Sequence, residues 1–188
     1  MHTLQKIATM ILFLLILVWC TGNKTTIDSS AILQETIPVT ELELSFIDPI
    51  WDGITVPEGQ WCSMFNGNGS SPEIQVHNIP EETLSLSIAV SDRSFTANDN
   101  GWHGIFGLLI ENSTSTIIPS IPGESFEVDD NVFVIEEARG GRSKGGIYLP
   151  PCSGWNGNEY YITVQALDST DPTTANILAT QDIELGAY

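Results

Sequence analysis

The residues best able to do chemistry are few, and they gather in the middle of the chain. Of three histidines, His2 falls in the apolar N-terminal segment and His77 ends a short alternating run, Glu73–His77, as an ordinary strand residue. His103 is different. It sits in Asn100-Gly-Trp-His-Gly, a turn-rich stretch leading straight into the apolar run IFGLLI. Sites tend to be built from loop residues held at the end of a rigid strand. Asp92 ends the alternating segment LSLSIAVSD and should reach the same rim if the two strands pair. A carboxylate beside an imidazole favours the imidazolium, and an imidazolium can grip a phosphate or carboxylate. A second cluster, Arg139, Arg142 and Lys144 in RGGRSKGG, concentrates basic side chains among glycines. Glycine lets backbone amides approach a ligand, and guanidinium groups bind oxyanions in pairs of hydrogen bonds. The cluster reads either as an anion-binding lip or as a solvated loop relieving acidic repulsion.

Catalysis finds no support. Cys62 and His103 could imitate a thiol–imidazole pair, but Cys152 offers Cys62 a partner for oxidation. The sequence has no Gly-x-Ser-x-Gly elbow, zinc-ligand spacing or phosphate loop. Asp92 and His103 alone are too few for a metal, and the acids are too plentiful to single out a catalytic pair. No enzyme, metal or cofactor is expected.

The elements that position these residues read as strands. Alternation marks Glu41–Phe46, Glu73–His77 and Leu84–Val90, the last placing Leu84, Leu86, Ile88 and Val90 on one face. Ile105–Ile110 is apolar throughout, as in a strand covered on both sides. Val132–Ile135, Tyr160–Leu167 and Ile183–Tyr188 complete the set. Stretches such as FNGNGSSP, TANDNG and PCSGWNGN separate them. No segment holds a 3.6-residue apolar period over helix length. The expected fold is an antiparallel β-sandwich with long glycine-rich loops and little helix.

The first 20 residues stand apart. After His2 and Lys6, IATMILFLLILVW runs 13 residues without a charge. A helix of that length covers roughly 20 Å, short of the hydrocarbon core. The pattern is that of a secretory signal, and Leu17-Val18-Trp19-Cys20 resembles a lipobox that would lipidate Cys20. Residues 21–38 are polar and aperiodic, as in a linker, which leaves 39–188 as one domain. The expected location is extracytoplasmic: secreted, periplasmic or lipid-anchored. In such a compartment Cys62 and Cys152 are expected to pair, closing a loop of about 90 residues. Asn23, Asn68 and Asn112 begin short Asn-x-Ser/Thr patterns of little weight. With 24 acidic against 6 basic residues, the surface disfavours nucleic acid and anionic membrane, leaving an N-terminal anchor as the route to a bilayer.

The order of motifs resembles the phosphatidylethanolamine-binding protein (PEBP) family, and in particular its bacterial Raf kinase inhibitor-like branch. Trp61-Cys62, Ser71-Pro72, Pro80-Glu81-Glu82-Thr83, Asp92, Gly101-Trp102-His103 and Pro151-Cys152 fall in the family's order. Tyr160–Thr163 through Ala166-Leu167-Asp168 and the final ILATQDIELGAY are similar to its last strands. The likeness implies a non-catalytic binding protein whose pocket accepts a small anion or a phospholipid head group. It assigns ligand-binding roles to Asp92, Trp102, His103, Pro151 and Tyr160. The departures are as informative. Asp92-Arg93-Ser94 stands where the family has Asp-Pro-Asp, and Asn158 stands where it has a histidine. His77 replaces a tryptophan, and the segment after Asp168 is too short for the family's helix. Arg93 could lend the pocket a positive charge, or could pair with Asp92 and close it. A rival reading therefore stays open: a degenerate PEBP-like domain, its pocket vestigial, that serves as a structural or protein-interaction module.

Overall fold

A computed structural model describes residues 41–140 and 144–188. The expectations for the N-terminal segment, Cys20, the linker, Asn23 and Arg142 lie outside those residues. Two antiparallel sheets share one apolar core. The smaller has the order β1 (Glu43–Phe46), β2 (Ile74–His77), β5 (Thr116–Ile118). The larger runs β6 (Val132–Glu136), β4 (Ile105–Leu109), β3 (Ser85–Asp92), β7 (Glu159–Leu167), β8 (Ile177–Ala187). The helical elements among the described residues are two three-residue 3-10 turns, Ser63–Phe65 and Thr96–Asn98. The mainly β expectation holds.

Alternation explains the core. Ile74 and Val76 of the small sheet meet Leu86, Ile88, Val90, Phe106, Ile162 and Val164 of the large one. Side chains two apart on a strand share a face, so each run contributes its apolar half inward. β3, however, is buried along nearly its whole length, not on one face alone. Short hydroxyls at its two ends make this tolerable because they find partners. Ser85 donates to the Ser169 carbonyl at 2.7 Å, and Ser91 accepts the Gly101 amide at 2.8 Å. Leu84, expected in the apolar row, lies outside the strand and is 47% exposed. β5 was not foreseen. β8 begins at Ile177, well before the expected Ile183; its first half carries Thr180, Gln181 and Asp182 in succession, so no apolar alternation marks it.

Cys62 and Cys152 form a disulfide with Cα atoms 5.3 Å apart. It ties the 3-10 turn that follows Cys62 to the segment entering β7. The Cys62 amide donates to the Pro151 carbonyl at 3.0 Å, so the two segments are joined by backbone as well.

Candidate functional site

Asp92 and Tyr160 come together through strand register. β3 pairs with β7 so that Asp92, its last residue, lies directly opposite Tyr160. Asp92 is only 1% exposed, and its carboxylate is bonded on both oxygens. Oδ1 accepts the Ser94 amide at 3.0 Å and Oδ2 accepts the Asn158 side-chain amide at 2.6 Å. Buried charge is tolerated only with such bonds. The Arg93 amide donates to the Glu159 carbonyl at 3.0 Å, extending the ladder with a donor that a proline would lack. Asn158, a loss when the sequence is set beside the family pattern, is here the residue that holds the acid.

His103 is placed by backbone on two sides. Its amide donates to the Val90 carbonyl at 3.0 Å, and its carbonyl accepts the Leu149 amide at 2.8 Å. Nδ1 lies 2.8 Å from the Leu149 carbonyl; a carbonyl only accepts, so Nδ1 carries the proton. The ring meets Tyr160 edge to face, with centroids 5.2 Å apart at 83°. Gly104 makes this possible. Its φ is +113°, and a Cβ there would stand 1.9 Å from the Ile147 carbonyl oxygen.

The electrostatics depart from the sequence expectation. Burial of His103, 3% exposed, lowers its pKa below the usual imidazole value. The Leu149 carbonyl and the Asp92 charge push the other way and do not overcome it. The expected stabilisation of the imidazolium by Asp92 is therefore real but outweighed by desolvation, and the ring is neutral near pH 7 with Nε2 as an acceptor. Burial also pushes the Tyr160 phenol up to about 12, so its hydroxyl keeps its proton. That oxygen accepts the Cys152 amide at 3.1 Å.

These side chains line a cavity of about 310 Å³. Asp92, His103, Leu149, Asn158 and Tyr160 contribute to it, as do Cys152 and Ser153 from the disulfide loop. Met64, Phe95, Asn98, Trp102 and Gly140 complete the lining. Of the residues singled out in the sequence, Asp92, Trp102, His103 and Tyr160 meet here.

Arg93 and Pro151 do not line it. Successive side chains on a strand point to opposite faces, so Arg93 turns away from the face of Asp92. Its guanidinium binds Glu184 at 2.7 Å and covers the Tyr161 ring at 4.2 Å. It neither charges nor closes the cavity. Pro151 is buried, with its carbonyl engaged by Cys62. Arg139 pairs with Glu136 and lies 6.0 Å from the centroid of the Trp102 ring, so its charge is already matched beside the cavity. Lys144 and His77 are exposed and away from the cavity lining. Among the described residues no group of His, Cys, Asp and Glu could hold a metal.

Met64, Phe95, Asn98, Gly140, Leu149 and Ser153 line the cavity without having been singled out in the sequence, whereas Asn158 was marked there only as a departure from the family pattern. Phe95 carried a weak signal, a large apolar residue in a polar loop. Met64 carried one only through its neighbour Cys62.

No protein-family model matches the chain, and no curated protein matches it. Solved structures do. YbcL of E. coli, described as a new member of the mammalian PEBP family, matches with a TM-score of 0.55 and 18% identity, covering 79% of this chain and 98% of that one. CT736 of Chlamydia trachomatis, described as a PEBP homolog, matches with a TM-score of 0.48 and 22% identity, over 79% of this chain and 97% of that one. The likeness to YbcL establishes a PEBP-like β fold.

Proposed function

We propose that this chain is a non-catalytic, extracytoplasmic binding protein whose cavity takes a small ligand bearing a phosphate or carboxylate. The observation that carries the reading is an open cavity with Asp92, His103 and Tyr160 side by side, Arg93 being held elsewhere by Glu184. Tyr160 offers a hydroxyl proton to an oxyanion. Neutral His103 offers a donor only after taking a proton on Nε2, which an arriving anion favours. Asp92 can accept an acidic hydrogen of the ligand, from hydrogen phosphate or from the ammonium of a head group such as phosphoethanolamine.

Binding on this account takes up a proton. The free imidazole has a lowered pKa, and the bound anion raises it. Affinity therefore grows as pH falls between those two values, by up to about tenfold per pH unit. The non-catalytic part rests on groups already committed: His103 Nδ1 to Leu149, Asp92 to Asn158 and Ser94, and both cysteines to each other. The location rests on the N-terminal apolar segment and on the disulfide.

A second reading, a protein-interaction module with a vestigial pocket, draws on one observation: Asn158 and Ser94 already satisfy Asp92. Isothermal titration with phosphate, acetate and phosphoethanolamine at pH 5.5 and 7.5 separates the two. Binding that strengthens at the lower pH and is lost in His103→Ala supports the first. Absence of heat from a folded protein supports the second and turns the search to protein partners.

A further inference from the structure

We infer that the ligand is a small acid carrying a compact apolar group, aryl or short alkyl, and not a bare inorganic anion. This rests on the anion-binding reading and narrows it. The cavity is two-toned. Asp92, His103 and Tyr160 give it polar hydrogen-bonding atoms, whereas Met64, Phe95 and Trp102 give it apolar surface. Phe95 is 57% exposed and Met64 42%. Single exposed apolar residues are common and need no account, but here two of them border one opening.

They arrive from separate parts of the fold. Met64 lies in the 3-10 turn Ser63–Phe65, held beside the cavity by the disulfide of Cys62. Phe95 leads into the other 3-10 turn, Thr96–Asn98, just past the end of β3. Trp102 precedes His103 in the loop before β4. Three independent segments thus bring apolar surface to one polar cavity.

The energetics point the same way. Among the described residues no cationic side chain lines the cavity. A bare phosphate would exchange its hydration shell for one phenol and one imidazole, with the Asp92 carboxylate close by. An apolar substituent seated against Phe95 and Met64 adds burial that owes nothing to charge. A ring covered there tightens binding on the order of tenfold to a hundredfold. A cavity of about 310 Å³ is at the small end for ligand sites, sufficient for a head group and one ring but not for lipid acyl chains.

Phenylphosphonate and methylphosphonate share a head group and differ in the substituent, so their affinity ratio isolates the apolar contribution. Titration of the wild-type protein should give a ratio of about ten or more in favour of phenylphosphonate. The ratio should fall toward one in Phe95→Ala, fall partway in Met64→Ala, and recover in Phe95→Leu. In His103→Ala both ligands should weaken while the ratio persists. A wild-type ratio near one, with methylphosphonate bound, overturns this inference and leaves the anion reading standing. If neither ligand binds a protein that circular dichroism shows to be folded, both fall. Phe95 and Met64 are exposed, so their replacement tests the contact without emptying the core.

Discussion

His103 is neutral because it is buried, although an acid lies close by. That balance makes a statement about stability. A histidine whose folded pKa is lowered binds its proton more readily in the unfolded chain, where the value is about 6.5. Stability is thus complete above that pH and declines as pH falls through 6.5 toward the folded value, by up to about 1.4 kcal/mol per pH unit. Urea denaturation between pH 5 and 8 should show this slope in the wild type and a flatter profile in His103→Gln. Three aspartates lie clear of this window. Asp52 is held low by the Ile54 and Thr55 amides, Asp168 by Asn176, and Asp171 by the Thr173 hydroxyl and amide, so all three titrate below 3.8. At this scale Asp92, His103 and Tyr160 were legible from residue type and motif order. The sense of the His103 shift was not, because burial depends on the whole fold while the neighbouring acid is visible in the motif order. Asn158 was legible as a departure from the family pattern, but its bond to Asp92 was not, since that partner lies 66 positions away.

The strands do the positioning, and their register decides what meets what. Asp92 faces Tyr160 because β3 and β7 pair in step from Ser85 and Leu167 onward. A slip of one residue would exchange every inward and outward side chain, so the buried row Leu86, Ile88, Val90 fixes the site as firmly as it fixes the core. Gly104 is the tightest point. A methyl group there meets the Ile147 carbonyl in a backbone conformation that L-residues rarely adopt, so Gly104→Ala should cost about 3 kcal/mol or more. Thermal and urea denaturation would report it, and any variant that still folds should bind anions more weakly because His103 has shifted. Alternation revealed β1, β2 and β3, and an apolar, β-branched run marked β7. Neither signal could reveal β5, three residues long and set among serines and threonines. The start of β8 escaped alternation for a different reason: Thr180, Gln181 and Asp182 put three polar residues in a row, and only the motif resemblance of ILATQDIELGAY marked it.

For the molecule as a whole, the disulfide is the largest single constraint. Its two cysteines are 90 residues apart. Closing such a loop removes unfolded-state entropy worth about 4–5 kcal/mol on the chain-entropy model. Replacing both with serine should lower the urea midpoint accordingly, and it should loosen Met64 and Ser153, which flank the two cysteines in the cavity wall. The acidic balance, 24 against 6, sets the other molecular property. The two described arginines are each matched to a glutamate, Arg93 to Glu184 and Arg139 to Glu136, so little positive surface is left to attract polyanions. Fold class and pairing of the cysteines were both legible here, since composition and oxidation chemistry act on the chain as a whole.

The same covalent tie changes what a protease can do. After the N-terminal segment and Lys24 the chain offers trypsin four sites, Arg93, Arg139, Arg142 and Lys144, and three of these crowd one glycine-rich loop inside the span from Cys62 to Cys152. Arg139 and Lys144 are exposed. A cut there severs the polypeptide yet separates nothing, because the two pieces stay bolted together at the wall of the cavity and interleaved in one sheet, with β6, β4 and β3 on one piece and β7 and β8 on the other. Such a nicked protein would migrate as a single band on a gel until a thiol was added. The fold therefore tolerates one broken peptide bond in its most cleavable stretch, a form of durability that a measurement of unfolding free energy on the intact chain would miss.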